Sequence, residues 1–134
     1  MENQKSAIGL DGNVAAALGY PIGIIALILI FIEKENKFVR FHAIQSLLWG
    51  LLVTIVMTVL VVLFVAFMFG AVILGNMSSV LGWIAGILEI LIGLGIGLMS
   101  LAAFGGMIYA AIKAYGNEQF KLPIIGKFAE KWSS

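Results

Sequence analysis

The 134-residue chain has no cysteine, two prolines, one histidine and few charged residues. The lack of cysteine excludes disulfides, thiolate metal sites and thiol nucleophiles. Charged residues make up 11% of the chain and hydrophobic residues 62%, whereas soluble domains are roughly a quarter charged and about half apolar. An ordinary water-soluble domain is therefore excluded. The formal net charge of +1 leaves no basic face that could neutralise phosphates, so we expect no nucleic-acid partner.

Long apolar stretches occupy the chain between three short charged zones. Eight of the fifteen charged residues lie in the first forty positions, and Glu89 is the next charged residue after Arg40. Because a bilayer core needs about 20 apolar residues per helix, we expect an all-α integral membrane bundle that forms a single domain over residues 1–134. The predicted spans are residues 14–32, 43–68 and 89–113. We expect a kink at Pro21 within the first span and an outer interfacial or re-entrant connection over residues 69–88.

The positions of lysine and arginine predict the number of crossings. Lys34, Lys37 and Arg40 follow the first predicted span, and four lysines from Lys113 onward follow the last. Basic residues collect on the cytoplasmic side, which requires an even number of spans between the two groups. We expect three crossings in the inner cell membrane, with the N-terminus outside and the C-terminus in the cytoplasm. A bundle of four helices is the alternative.

The C-terminal tail has the pattern of a short amphipathic helix. Pro123 interrupts the chain, and apolar residues then alternate with charged ones at helical spacing over residues 124–132. We expect this helix to lie on the inner leaflet with its basic side toward the lipid phosphates. A helix packed on the cytoplasmic end of the bundle is the other interpretation.

Glu89 is the one charged residue inside a long apolar stretch. With three crossings it lies about 36 Å along the helix from Lys113, beyond a bilayer core of about 30 Å. We therefore expect an acid in the outer headgroups. The alternative is an intramembrane acid that lines an ion or proton pathway.

Polar residues near the predicted cytoplasmic boundary form a candidate inner rim: Arg40, His42, Gln45, Ser46 and Lys121. His42, Gln45 and Ser46 share a helix face, because they are spaced at i, i+3 and i+4. The chain has neither metal-ligand spacing nor a plausible Ser-His-Asp arrangement. We expect no catalytic residue, no cofactor and no metal.

Small residues that recur every four positions predict close packing between helices in lipid. The candidate packing residues are Gly19, Gly23, Gly93, Gly97 and Gly106. This spacing fits packing within one chain and also packing between chains. We expect the partners to be the bilayer itself and other membrane subunits or further copies of the chain.

Two strings suggest a family. Residues 39–46 are VRFHAIQS and residues 121–126 are KLPIIG. Together with the Ala-Tyr-Gly at 114–116, they resemble the prokaryotic relatives of the twenty-kilodalton component of the chloroplast inner-envelope import machinery. The resemblance implies a four-helix membrane protein connected with a protein-conducting complex.

The function predicted from the sequence is that of a non-enzymatic subunit or scaffold of a membrane assembly, and the resemblance implies a relation to protein translocation. The alternative is a small channel or transporter in which Glu89 and a glycine face line a pathway. Both hypotheses use the apolar spans and the candidate packing faces, but only the second requires Glu89 to meet a transported ion.

Overall fold

The computed structural model describes residues 4–133. They form five helices: α1 Gly12–Leu18, α2 Gly23–Ile32, α3 Lys37–Met77, α4 Ser79–Tyr115 and α5 Gly126–Ser133. The described residues contain no strand beyond an isolated bridge between Lys5 and Asp11. The all-helical prediction is confirmed for this part of the chain.

α3 and α4 are long and apolar enough to cross a membrane. Their 41 and 37 residues correspond to about 61 and 55 Å of helix. The remaining helices have at most ten residues, far fewer than the roughly 20 that a bilayer core needs. The prediction of three crossings is therefore not confirmed, because the first predicted span contains no helix of sufficient length.

A break at Pro21 divides the first predicted span. The sequence predicts a kink at this residue, but the structure has a turn over residues 19–21 with a separate helix on each side. Proline lacks a backbone N–H and its ring crowds the carbonyl of Ala17, so α1 cannot continue. α1 and α2 then pack against each other, and a methyl group added at Gly19 would lie 3.5 Å from the Ala26 Cβ.

The N-terminal loop closes on the segment between α2 and α3. The buried Glu33 carboxylate accepts hydrogen bonds from the Ala7 N–H at 2.7 Å and from the Asn36 N–H at 3.1 Å. The Asn36 side chain donates to the Gln4 carbonyl and accepts from the Val39 N–H, as an N-terminal cap of α3. These hydrogen bonds hold the residues before α1 against the residues after α2.

A single residue, Ser78, separates α3 from α4. The sequence predicts an outer interfacial or re-entrant connection over residues 69–88, whereas the structure places all of these residues except Ser78 in α3 or α4. A methyl group added at Gly82 would lie 2.9 Å from the Gly75 Cα. Glycine is therefore required at position 82, where α4 approaches the backbone of α3 closely.

α4 ends where Asn117 adopts a left-handed conformation with φ of 60°. The Glu118 N–H then donates to the Lys113 carbonyl at 2.9 Å, which satisfies one of the last carbonyls of the helix. The chain continues through Pro123 and Ile124 to α5. The helix predicted for the tail lies at Gly126–Ser133.

The contacts divide the chain into two units. The terminal unit comprises Met1–Leu52 and Phe104–Ser134, and the central unit comprises Val53–Ala103. A cluster in the terminal unit joins α1, α4 and the tail: Ala16, Tyr20, Ala110, Ala114, Leu122 and Ile125. The central unit consists of segments of α3 and α4 whose large apolar side chains are mostly exposed, as expected of a lipid-facing surface.

Candidate functional site

Gln45 holds the C-terminal tail on α3 in the terminal unit. Its side chain is fully buried. The Oε1 atom accepts a hydrogen bond from the Leu122 N–H at 3.0 Å, and Nε2 donates to the Phe120 carbonyl at 2.9 Å. Nε2 also donates to the Tyr20 hydroxyl at 2.7 Å. Since both amide hydrogens and the carbonyl oxygen have partners, the orientation of the amide is fixed by the network.

The Tyr20 hydroxyl connects Gln45 to His42. The distance from its oxygen to His42 Nδ1 is 3.0 Å. Because the hydroxyl accepts from Gln45, we assign its own proton to the bond with Nδ1, which leaves the ring proton on Nε2. Burial raises the pKa of the Tyr20 phenol, and the Gln45 hydrogen bond opposes this shift.

The His42 ring is fully buried among aromatic edges. The centroid of the His42 ring lies 4.6 Å from that of Phe38, 5.0 Å from that of Phe41 and 5.9 Å from that of Tyr20. A buried cation requires a paired anion, whereas the ring contacts just named are aromatic edges and a hydroxyl. We therefore assign a neutral imidazole.

This polar cluster, defined as Tyr20, His42 and Gln45, joins three parts of the terminal unit. Tyr20 comes from the turn after α1, His42 and Gln45 come from α3, and the partners of Gln45 come from the tail. The cluster contains no carboxylate, and its one hydroxyl, that of Tyr20, is buried and hydrogen-bonded to both Gln45 and His42. Its geometry is that of a buried structural connection.

The other candidate rim residues lie nearby but outside the cluster. The Ser46 hydroxyl donates to the Ala43 carbonyl in its own helix at 3.0 Å. Arg40 is half-buried, and its Nε has no hydrogen-bond partner within residues 4–133. Lys121 is exposed and forms an ion pair with Glu130 at 2.7 Å. The backbone on either side of Lys121, rather than its ammonium group, meets Gln45.

A groove lies along α4 in the central unit, with a volume of about 670 Å³. Gly93 and Gly97 form part of its wall, and the Phe64 ring of α3 lies 3.7 Å from where a Gly93 methyl group would be. Glu89 also lines this groove. In the part of the chain that the structure describes, its carboxylate has neither an ion pair nor a hydrogen bond.

The candidate packing glycines differ in their surroundings. A methyl group at Gly106 would lie 3.4 Å from Trp49 and one at Gly19 3.5 Å from Ala26, both ordinary close contacts between helices of the terminal unit. A methyl group at Gly23 or Gly97 would have no neighbour within 4 Å. Gly97 is therefore open to a further molecule.

Sequence reasoning missed Tyr20 and the loop residues Glu33 and Asn36. The signal for Tyr20 was its position directly before Pro21, where a helix must break and a side chain can turn inward. Glu33 and Asn36 lie in a charged zone that resembled a solvated loop. No group of three or more His, Cys, Asp or Glu side chains that could hold a metal ion occurs among residues 4–133.

Comparison with known proteins gives one family and three curated relatives. Residues 3–129 match the model of the MamF/MmsF family, described as the magnetosome magnetite crystal formation protein family. A UPF0132 membrane protein of Methanocaldococcus jannaschii is 38% identical over 130 residues, which are 96% of this chain and 94% of that protein. A second one from this organism is 32% identical over 94% of this chain and 73% of its own length. A UPF0132 membrane protein of Archaeoglobus fulgidus is 38% identical over 89% of this chain and 92% of its own length. No solved structure matches the chain.

These matches overturn the resemblance to the chloroplast import component. The family model spans both strings, residues 39–46 and 121–126, on which that resemblance rested. The structure gives a physical reason why these two strings did not identify the family. Gln45 in the first string binds the backbone of Leu122 in the second, and such an internal packing contact carries no information about translocation. The suggested link with protein translocation falls with the resemblance.

Proposed function

The chain belongs to the magnetosome magnetite crystal formation protein family of MamF and MmsF, and from this premise we propose a non-enzymatic subunit or scaffold of a membrane assembly. The relatives named as membrane proteins and the two long apolar helices support a membrane location. The family description refers to magnetite. Residues 4–133 contain no group of three or more His, Cys, Asp or Glu side chains that could hold a metal ion, and the proposal does not include iron binding.

The observation that carries the proposal is the groove on α4. Small residues allow helices to approach closely in lipid, where association depends on packing and polar contacts. Gly93 and Gly97 provide this space, and Glu89 one turn earlier is an acid without a partner in the described residues. An acid in an apolar surface favours a polar partner from another helix. The groove therefore fits a helix of another subunit or of a second copy.

Purification in mild detergent tests this proposal. We expect the protein to elute as an oligomer or with other membrane proteins, measured by light scattering on a sizing column and by mass spectrometry. Gly93→Leu and Gly97→Leu fill the groove and should release the partner. Gly95→Leu is the matched control, because Gly95 does not line the groove and a side chain there meets no neighbour within 4 Å. A strictly monomeric wild-type protein without partners would contradict the proposal.

For the topology, we propose two crossings, by α3 and α4, with α1 and α2 as a hairpin that enters and leaves on one side. α1 and α2 are only about 10 and 15 Å long. The Glu33 and Asn36 contacts hold the residues before α1 next to the residues after α2. All eight lysine and arginine residues belong to the terminal unit, which supports a cytoplasmic location for that unit.

Cysteine labelling in intact cells tests this topology, because the chain has no native cysteine. We expect Lys5→Cys and Lys127→Cys to react from the cytoplasmic side and Asn76→Cys, at the end of α3, from the opposite side. Labelling of Lys5→Cys and Asn76→Cys from the same outer side would restore the three-crossing arrangement.

A pathway for ions is the second candidate function, favoured by the position of Glu89 in the groove. Its test is ion or proton flux into liposomes that contain the purified protein. Flux that is present in the wild type and lost in Glu89→Gln would support this candidate. Absence of flux, or flux unchanged by the substitution, would remove it.

A further inference from the structure

α5 has three distinct faces. Gly126, Ala129 and Ser133 are buried, and Ala129 packs in a cluster with Phe41 and Ile44 of α3. A methyl group at Gly126 would lie 3.1 Å from the Gln45 Oε1. The buried face therefore sets how α5 lies on α3, and the two other faces point away from the unit.

Beside the buried face lies an exposed apolar stripe, defined as Phe128 and Trp132 on α5 together with Ile124 in the turn directly before the helix. The three residues are spaced by four positions and are 73%, 51% and 53% exposed. The ring centroids of Phe128 and Trp132 lie 6.3 Å apart. Large apolar side chains that are exposed on a short helix and in the turn before it are typical of a surface that is covered by another phase or molecule.

The backbone of Ile124 provides an independent indication. Its φ is +68°, a left-handed conformation that glycine and asparagine adopt readily and that is unfavourable for a β-branched side chain. The side chain gains little from the fold in return, because it is the most exposed of the stripe. For folding alone glycine or asparagine would suit this position better, so the isoleucine side chain is expected to have a contact outside the terminal unit.

Basic residues adjoin the apolar stripe. Lys127 and Lys131 are exposed on the face of α5 opposite its buried side. The acid of α5, Glu130, is already paired with Lys121 at 2.7 Å. A surface with aromatic rings beside lysines is complementary to a membrane interface that carries negative headgroups.

We propose that the stripe docks α5 on an anionic bilayer surface, with Ile124, Phe128 and Trp132 inserted among the headgroups and Lys127 directed to lipid phosphates. The Gln45 contacts and Ala129 hold α5 on α3 in the docked and in the undocked state, so the stripe already faces outward when it meets the lipid. The proposal needs only a membrane location. The oligomer measurements above and the lipid measurements below can therefore fail independently.

Tryptophan fluorescence in vesicles measures this docking. The full-length protein with Trp49→Phe and Trp83→Phe keeps Trp132 as its one tryptophan and is reconstituted in phosphatidylcholine with or without phosphatidylglycerol. We expect lipids brominated near the headgroup end of the acyl chain to quench most of the Trp132 emission. Lys127→Gln should lower the ratio of docked to undocked helix about fivefold in the anionic vesicles.

Ile124→Asn separates docking from folding. The substitution relieves the unfavourable backbone conformation, so we expect an unchanged or higher melting temperature in detergent together with a loss of bromolipid quenching. Ile8→Asn is the matched control, because Ile8 is also an exposed apolar residue of the terminal unit outside the stripe, and it should leave the quenching unchanged.

A second label avoids the tryptophan substitutions if these prevent folding. A nitroxide on Trp132→Cys should be relaxed more strongly by oxygen, which partitions into lipid, than by a water-soluble nickel chelate. Trp132 that is quenched by aqueous acrylamide and not by bromolipid, or quenching that is equal in Ile124→Asn and wild type, would overturn the proposal.

Discussion

Replacing Gln45 by leucine should loosen the C-terminal tail. The substitution conserves much of the side-chain volume and removes all three hydrogen bonds to Tyr20, Phe120 and Leu122. Each buried group left without a partner costs about 1–3 kcal/mol. Leu122 is 4% exposed, so water cannot replace the bond to its N–H without a structural change.

The net loss of unfolding free energy for Gln45→Leu is roughly 2–5 kcal/mol, since the gain from burying leucine offsets part of the penalty. This is a large fraction of the roughly 5–15 kcal/mol by which folded proteins are stable. Equilibrium unfolding in detergent, followed by circular dichroism, measures it. Limited trypsin digestion should also cut faster at Lys121 and Lys127, because the released tail becomes accessible.

Two variants serve as controls for this prediction. Gln119→Leu makes the same chemical change at an exposed residue of the same tail and should change stability by no more than about 0.5 kcal/mol. Gln45→Glu keeps the shape and the acceptor for Leu122 but loses both donors, so it should also destabilise. If Gln45→Leu matches Gln119→Leu in stability and in digestion rate, the assigned role of the buried amide is wrong.

Three further substitutions test packing and the polar cluster, each by the same unfolding measurement. Gly82→Ala should destabilise the protein by about 1–3 kcal/mol, because the methyl group meets the facing backbone of α3 at 2.9 Å. Gly70→Ala is the control: it has open space around it and should stabilise the protein by up to about 1 kcal/mol. Equal effects of the two substitutions would contradict the close approach at Gly82. Gly126→Ala places a methyl group 2.7 Å from the Lys121 Cβ and should cost about 1–3 kcal/mol, whereas an unchanged stability would show that the tail can move aside. Tyr20→Phe leaves the buried imidazole without its hydroxyl partner and should cost about 1–3 kcal/mol; no loss would mean that this hydrogen bond contributes nothing.

The composition and the order of residues determined the class of this protein. A chain that is 62% hydrophobic and 11% charged must cover its apolar surface with lipid or protein, and apolar stretches of about 20 residues or more favour membrane-spanning helices. The position of the tail helix followed from Pro123 and the alternation after it. These are local properties, so they can be predicted from neighbouring residues alone.

The tertiary structure decided how the first apolar stretch folds and what the polar rim does. The length of the apolar stretch at residues 14–32 predicts one membrane span, and Pro21 within it predicts only a kink in that span. The break at Pro21 becomes a hairpin because Tyr20 binds the cluster on α3 and Glu33 binds the N-terminal loop. Those contacts join residues 22 to 26 positions apart in the sequence. No local pattern of residues specifies them.

Gln45 shows the same division between sequence and structure most clearly. Its spacing from His42 predicts a shared helix face, which is a local property of any helix. Its contact with the tail depends on hydrogen bonds to residues 75 and 77 positions later. Hydrogen bonds of that separation form only when the packing of α4 returns the tail to α3, so tertiary packing decides that this polar residue is buried.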